Sequence, residues 1–301
     1  MNKKHIFLAI ALILTLGMPY KPASAQNTHR SADIFLGVDL GLSDMNYERQ
    51  YDILLGLMPG IKWDLGNNWM INGGLYIPIV NQISYRYDGV RVTALDVSKQ
   101  FKVGPLYCKA SGGLFSMERY GLDLKMFLPI FSWFALEAQA GLTGRCTFRD
   151  YDSYKWQMSD MERFSGTVGG DIYLSRWNTQ LRGTIGRYVY RDMGFECEAM
   201  RHFRHSTISV YGNWNHVLGF DGGFKVVAMI PPYKRTHRAV NIRPISNFSY
   251  DYTAKAHTYT NRIYSTDPEQ NIRDGWFTRD FLDWGSHTME PDFITKEKEA
   301  K

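Results

Sequence analysis

Charged and hydrogen-bonding side chains recur at every second position through much of this chain, a spacing that places them on one face of a β-strand. They are Asp39, Lys62, Asp64, Lys109, Asp123, Lys125, Glu137, Gln139, Asp171, Gln180, Arg182, Ser209, Tyr211 and Lys225. Both signs of charge are present, and on an enclosed face they must pair, because a lone buried charge is costly. Two readings stand: a solid polar filling of ion pairs, or a lining for a sugar or ion path. A second group, Asp150, Arg187, Tyr188, Arg191 and Asp192, falls at strand ends. There Arg187 and Arg191 are positioned to pair with Asp150 or Asp192, as a structural clasp at a rim or as a sugar contact. Two basic clusters, Arg201-His202-Arg204-His205 and Lys234-Arg235-His237-Arg238, lie between expected strands. They read as solvated turns or as contacts for acidic groups.

Covalent chemistry has little to work with. The chain has no GxSxG, no HExxH and no Gly-rich phosphate loop. Its histidines are scattered, with no partner at an informative spacing. We therefore expect no catalytic residue, no cofactor and no enzyme. Cys108, Cys146 and Cys197 are widely separated and have no close Cys or His neighbour at zinc-ligand spacing, so no metal is expected either. An odd count leaves at least one thiol over, and one disulfide is open to the other two. The net charge of +5 is too small, and too evenly spread, to argue for nucleic acid. It suits lipid phosphates or acidic sugars.

The elements that must position these side chains are strands. Ile34, Leu36, Val38, Leu40 and Leu42 alternate with Phe35, Gly37, Asp39 and Gly41. Ile53, Leu55, Leu57, Ile61, Trp63 and Leu65 share a parity across Pro59, which predicts a bulge or kink at the proline. Gly66-Asn67-Asn68 predicts a tight turn, flanked by Trp63 and Trp69. Residues 90–103 read as a strand whose parity is blurred. Similar stripes follow at 106–114, 120–128, 134–142, 164–174, 181–185, 208–214 and 224–230, with a weak strand around 194–200 and two Tyr-rich strands over 240–264. Short turns alternate with longer polar connections.

Aromatics make up 15% of the 301 residues, and mean hydropathy is −0.33, well short of a helical membrane protein. Lys3 and Lys4, the apolar run from Ile6 to Met18, and Ala23-Ser24-Ala25 have the layout of a secretory signal peptide over residues 1–25. No later stretch is apolar enough for a spanning helix. A chain of this kind that enters a bilayer must do so as a closed barrel. The expected fold is all-β: an antiparallel outer-membrane β-barrel of about 12–14 strands over residues 26–268, an even count favouring closure. An aromatic and charged tail, residues 269–301, follows. The expected location is the outer membrane of a Gram-negative bacterium, in contact with lipid and lipopolysaccharide.

Three segments carry a resemblance to a known family: Phe148-Arg149-Asp150-Tyr151, the run Thr184-Ile185-Gly186-Arg187-Tyr188-Val189-Tyr190-Arg191-Asp192-Met193-Gly194, and Phe224-Lys225-Val226-Val227-Ala228-Met229-Ile230-Pro231. Across residues 104–252 the order of features resembles the YjbH/GfcD type of exopolysaccharide or capsule outer-membrane protein. The resemblance implies a part in the assembly or export of a surface polysaccharide, with an acidic polysaccharide and periplasmic polysaccharide-export proteins as partners. It supplies no catalytic residues. The alternatives are a general porin or structural barrel, and an outer-membrane lipid-modifying enzyme.

Overall fold

The computed structural model describes residues 31–43, 52–82, 89–131, 133–147, 157–203, 206–217, 219–229, 239–245, 247–253 and 263–269. The expected signal peptide, Asp150 and the basic cluster at 234–238 lie outside these residues. So does the 269–301 tail, except for Glu269.

The described chain is all-β, in one mostly antiparallel sheet. Its strands are β1 (Ser31–Ser43), β2 (Asp52–Gly66), β3 (Trp69–Asn81), β4 (Arg91–Val103), β5 (Leu106–Phe115), β6 (Arg119–Phe131) and β7 (Phe134–Thr147). They continue as β8 (Gln157–Met158), β9 (Arg163–Leu174), β10 (Thr179–Arg187), β11 (Met193–His202), β12 (Ser206–Asn215), β13 (Gly219–Met229), β14 (Val240–Pro244) and β15 (Asn247–Thr253). Each long strand pairs with its sequence neighbour, while β8 is a two-residue spur on β7. No helix among the described residues is long and apolar enough to cross a membrane.

The two ends of this strand order meet in sequence. β14 pairs with β1, from Ala32↔Val240 to Leu36↔Pro244, and β15 pairs with β13, from Gly223↔Thr253 to Met229↔Asn247. Between them Ile245 N–H donates to the Leu36 carbonyl at 3.0 Å. Its side chain is buried with Phe35, Leu54, Met58 and Tyr76. The β1–β14 pair is parallel. Strand direction dictates this. Twelve up-and-down strands, β1–β7 and β9–β13, precede residue 240, so the thirteenth pass through the sheet runs in the direction of β1. Among the described residues the passes therefore number thirteen, not an even count.

Local irregularities follow from particular residues. Asn67 and Asn68 both take left-handed backbone angles, φ 55° and 63°, as the expected turn requires. Asp64 Oδ1 accepts from Gly66 N–H at 2.8 Å and fixes the turn's entry. No register shift falls at Pro59; the ladder shifts between Leu55 and Gly56, where Gly56 faces Pro78. Pro78 has no N–H to give to the ladder, so the register breaks opposite it. The blurred parity of β4 has a similar cause. Gly74 pairs with Ala94 and Leu75 with Val92, so Thr93 is an extra residue. It moves the exposed parity from Val92 to Leu95 and Val97.

The sheet's polarity is inverted relative to a water-soluble fold. One face is exposed and apolar, with Leu36, Leu95, Val168, Ile185 and Val210 among its side chains, Val210 being 62% exposed. The other face is buried and polar, carrying Asn72, Asp96, Ser98, Lys125, Glu198 and Thr207, with Ser98 fully inaccessible.

Candidate functional site

The buried polar face gathers the charged residues that alternation singled out. Lys109, Asp123, Lys125, Glu137, Asp171 and Lys225 are buried on it, together with Gln180 and Ser209. Asp39, Lys62, Asp64, Gln139, Arg182 and Tyr211 are half-buried. On the β7–β12 side, Arg182 Nε donates to Glu137 Oε1 at 2.7 Å, and Gln180 Nε2 donates to Asp171 Oδ1 at 2.7 Å. His202 sits between Gln180 Oε1, at 3.2 Å, and Thr207 Oγ1, at 2.9 Å. Its position corrects the reading of Arg201-His202-Arg204-His205 as a solvated turn. β11 runs through His202, and even parity turns that ring onto the buried face while Arg201 stays exposed against Phe203. Arg204 and His205 lie outside the described residues.

The β1–β7 side holds something the strand pattern did not foreshadow. Residues 263–269 are not strand but an irregular segment laid against the polar face. Tyr264, Ser265, Thr266 and Glu269 are all buried. Of the two Tyr-rich strands expected over 240–264, the described residues hold Val240–Pro244 and Asn247–Thr253, and Tyr264 does a different job. Its ring stacks on Phe115 with centroids 5.0 Å apart, and its hydroxyl donates to Asp123 Oδ1 at 2.8 Å. Gln139 Nε2 donates to the same oxygen at 2.8 Å. Ser116 N–H donates to the Ser265 carbonyl at 3.0 Å, and Ser265 N–H donates back to Ser116 Oγ at 2.7 Å.

Two carboxylates anchor the segment's other end. Lys62 Nζ lies 2.9 Å from Asp267 and 2.8 Å from Glu269. Arg243 grips Glu269 through both terminal nitrogens, and its Nε reaches Asp33 Oδ2 at 3.3 Å. Burial by itself would raise the pKa of Glu269. Lys62 and Arg243 outweigh it and hold the carboxyl well below the usual range. Asp267 behaves alike: burial pushes its carboxyl up, and Lys62 and Lys109 bring it below its ordinary value.

The wall has room for the segment because two wall residues are glycine. A Cβ on Gly74 would come within 2.7 Å of Pro268. One on Gly141 would collide with the Tyr264 hydroxyl. The segment thus touches β2, β3, β5, β6, β7 and β14, so the sheet must curve around it. Glu269, the first residue of the expected tail, is part of this packed unit.

The rim residues divide differently from the expected clasp. Arg187 and Arg191 are exposed, Tyr188 is buried and Asp192 is half-buried. Asp192 accepts from Asn215 Nδ2 and does not pair with either arginine. The turn is held by its backbone instead: Tyr188 N–H donates to the Asp192 carbonyl at 2.8 Å and Arg191 N–H to the Tyr188 carbonyl at 3.0 Å. Arg191 takes a left-handed backbone angle, φ 69°, within this turn.

Cys108 and Cys146 are buried, Cys197 is exposed, and all three are free thiols. Among the described residues no group of three or more His, Cys, Asp or Glu is placed to hold a metal. No family model matches the chain, and no curated protein matches it.

Proposed function

We propose that this chain is an outer-membrane β-barrel protein of a Gram-negative bacterium, exported through a cleaved N-terminal signal segment, that takes part in assembling or exporting a surface exopolysaccharide or capsule. The observation that carries the membrane reading is the inverted polarity. Water-soluble monomers rarely expose large contiguous apolar surface, whereas a lipid-facing wall requires it. Rings at both strand ends fit the same reading. Trp63, Phe131, Trp133 and Trp177 are exposed at one end of the strands, and Phe164, Phe195, Trp214 and Phe220 at the other. The strands from β2 to β7, at ten to fifteen residues, are long enough to span a hydrocarbon core.

Closure is the finer part of this proposal. The run 240–253 bonds to β1 through its first half and to β13 through its second, so it serves as the seam of a barrel. The seam is parallel because the passes are odd in number. The segment 263–269 then lies within, which favours a plugged barrel over an open general porin.

The glycan role rests on the resemblance over 104–252, with lipopolysaccharide, an acidic polysaccharide and periplasmic export proteins as partners. It is tested by deleting the gene and measuring cell-associated and released polysaccharide. Unchanged amounts of both would sink it. The membrane reading is tested separately. The full chain should sediment with outer membranes and migrate differently on gels before and after boiling. Solubility without detergent would overturn it.

A further inference from the structure

At the end of the polar face served by the longer connections, three arginines converge. Arg119 opens β6, and its Cα partner across the ladder is Arg145 in β7. Arg163 opens β9 and pairs with Thr143, two residues before Arg145 on that strand. Three adjacent strands therefore present three guanidinium groups on one face at one end. Arg145 is satisfied by Glu118 at 3.2 Å and is largely solvated. Arg119 is different. Only 5% of it is exposed, and its Nε has no hydrogen-bond partner among the described residues. Its guanidinium carbon lies 5.5 Å from the centre of the Tyr190 ring. Arg163 and Arg145 act on it as like charges. Among the described residues, no carboxylate is paired with Arg119 or Arg163.

This arrangement stands out on its own face. Lys62, Arg182 and Arg243 each reach a carboxylate. A buried guanidinium without a counter-charge, crowded by two others, is an expensive arrangement for folding alone. It is the arrangement that a bound anion relieves. Guanidinium groups match carboxylate and phosphate oxygens through paired N–H donors.

We propose that Arg119, Arg163 and Tyr190 form a binding site for the oxyanion group of an acidic ligand, a carboxylate or a phosphate. Arg119 supplies its idle Nε donor from the buried side. Arg163, half-buried at the start of its strand, supplies a second charged donor. Tyr190 closes the site from the turn between β10 and β11. The site lies beside the segment's anchor, since Phe115, the Cα partner of Arg119, stacks on Tyr264. This inference goes beyond the membrane reading, because the site is the same whatever solvates the apolar face.

The test is isothermal titration of the full chain, folded in detergent, with sodium glucuronate, inorganic phosphate and neutral glucose. Saturable binding of glucuronate, phosphate or both is expected, with none for glucose. Glucuronate alone would identify a sugar acid as the source, and phosphate alone a phosphoryl group. Arg163→Gln should weaken binding roughly tenfold or more, the loss of one charge-assisted bond. Arg176→Gln, in the exposed turn between β9 and β10 at the other end of the strands, should leave it unchanged. Arg119→Gln should abolish it, and gel mobility before and after boiling checks that this variant folds. Should it not fold, Arg163→Gln decides. The proposal is overturned if neither anion saturates, if Arg163→Gln binds like the parent, or if Arg176→Gln weakens binding equally.

Discussion

Replacing Glu269 with Gln should free the segment 263–269 from the wall. Glu269 accepts from Arg243 through both oxygens and from Lys62 at 2.8 Å, all at a buried position. The amide keeps the shape and removes the charge. Lys62 then keeps its contact with Asp267, and Arg243 its contact with Asp33. Removing one member of a buried ion pair costs about 3–5 kcal/mol, because the remaining charge stays desolvated. Even the lower figure makes the undocked state roughly a hundredfold more populated. Thr266 provides the reporter. It is fully buried, and its hydroxyl makes no hydrogen bond, so Thr266→Cys sacrifices little. With Cys108, Cys146 and Cys197 replaced by Ala, the rate of Thr266→Cys modification by a charged, water-soluble thiol reagent reads the undocked fraction. The expected rate rises by about two orders of magnitude in Glu269→Gln. Equal rates in parent and variant would refute the argument that the Lys62–Arg243 grip holds the segment.

Four further outcomes follow from the same geometry. Gly141→Ala should raise the same thiol rate, since overpacking against Tyr264 costs about 1–3 kcal/mol; an unchanged rate would count against that contact. Tyr264→Phe should have a smaller effect, about 1 kcal/mol for one hydrogen bond, leaving Asp123 its bond from Gln139. Because the Glu269 and Asp267 pKa values are depressed on folding, their stabilisation is complete above the ordinary carboxylate range and is lost as pH falls through that range towards the depressed values. Hydrogen exchange of the Ser265 amide, scaled to its intrinsic rate at each pH, should accordingly accelerate only in acid, and acceleration starting at neutral pH would contradict this. Val210→Arg, on the exposed face, should destabilise the chain in vesicles by about 2–4 kcal/mol, seen as a lower urea midpoint, whereas a water-facing position would lose almost nothing.

The sequence was most informative where a single period governed both faces. Parity alone picked Lys109, Asp123, Glu137, Asp171 and Lys225 for one face, and the fold buries all five there. Asp96 escaped because Thr93 inserts into β4 and flips the parity halfway along. β11 read as weak because Glu196 and Glu198 fill one face while Cys197 and Ala199 thin the apolar stripe on the other. Asp267 and Glu269 left no periodic trace, since their positions are set by Lys62 and Arg243, about two hundred and about twenty-five residues away respectively. Arg119, Arg145 and Arg163 are separated in the sequence by whole strands, and only ladder register brings them together. Local periodicity reports which way a side chain points. It does not report what returns from a distance to meet it.

The parallel β1–β14 ladder also imposes an order of events. Nearly every other pairing joins strands adjacent in the chain, and such hairpins can form as soon as both arms exist. Ala32 must wait for Val240, so this ladder cannot form until the intervening strands have been made and aligned. Residues 263–269 come later still, and their anchor Arg243 is held in place by that same ladder through Asp33. Docking of the segment is thus a signal that the β1–β14 ladder has formed, and a nascent chain stalled before it would be distinguishable by an unprotected Thr266.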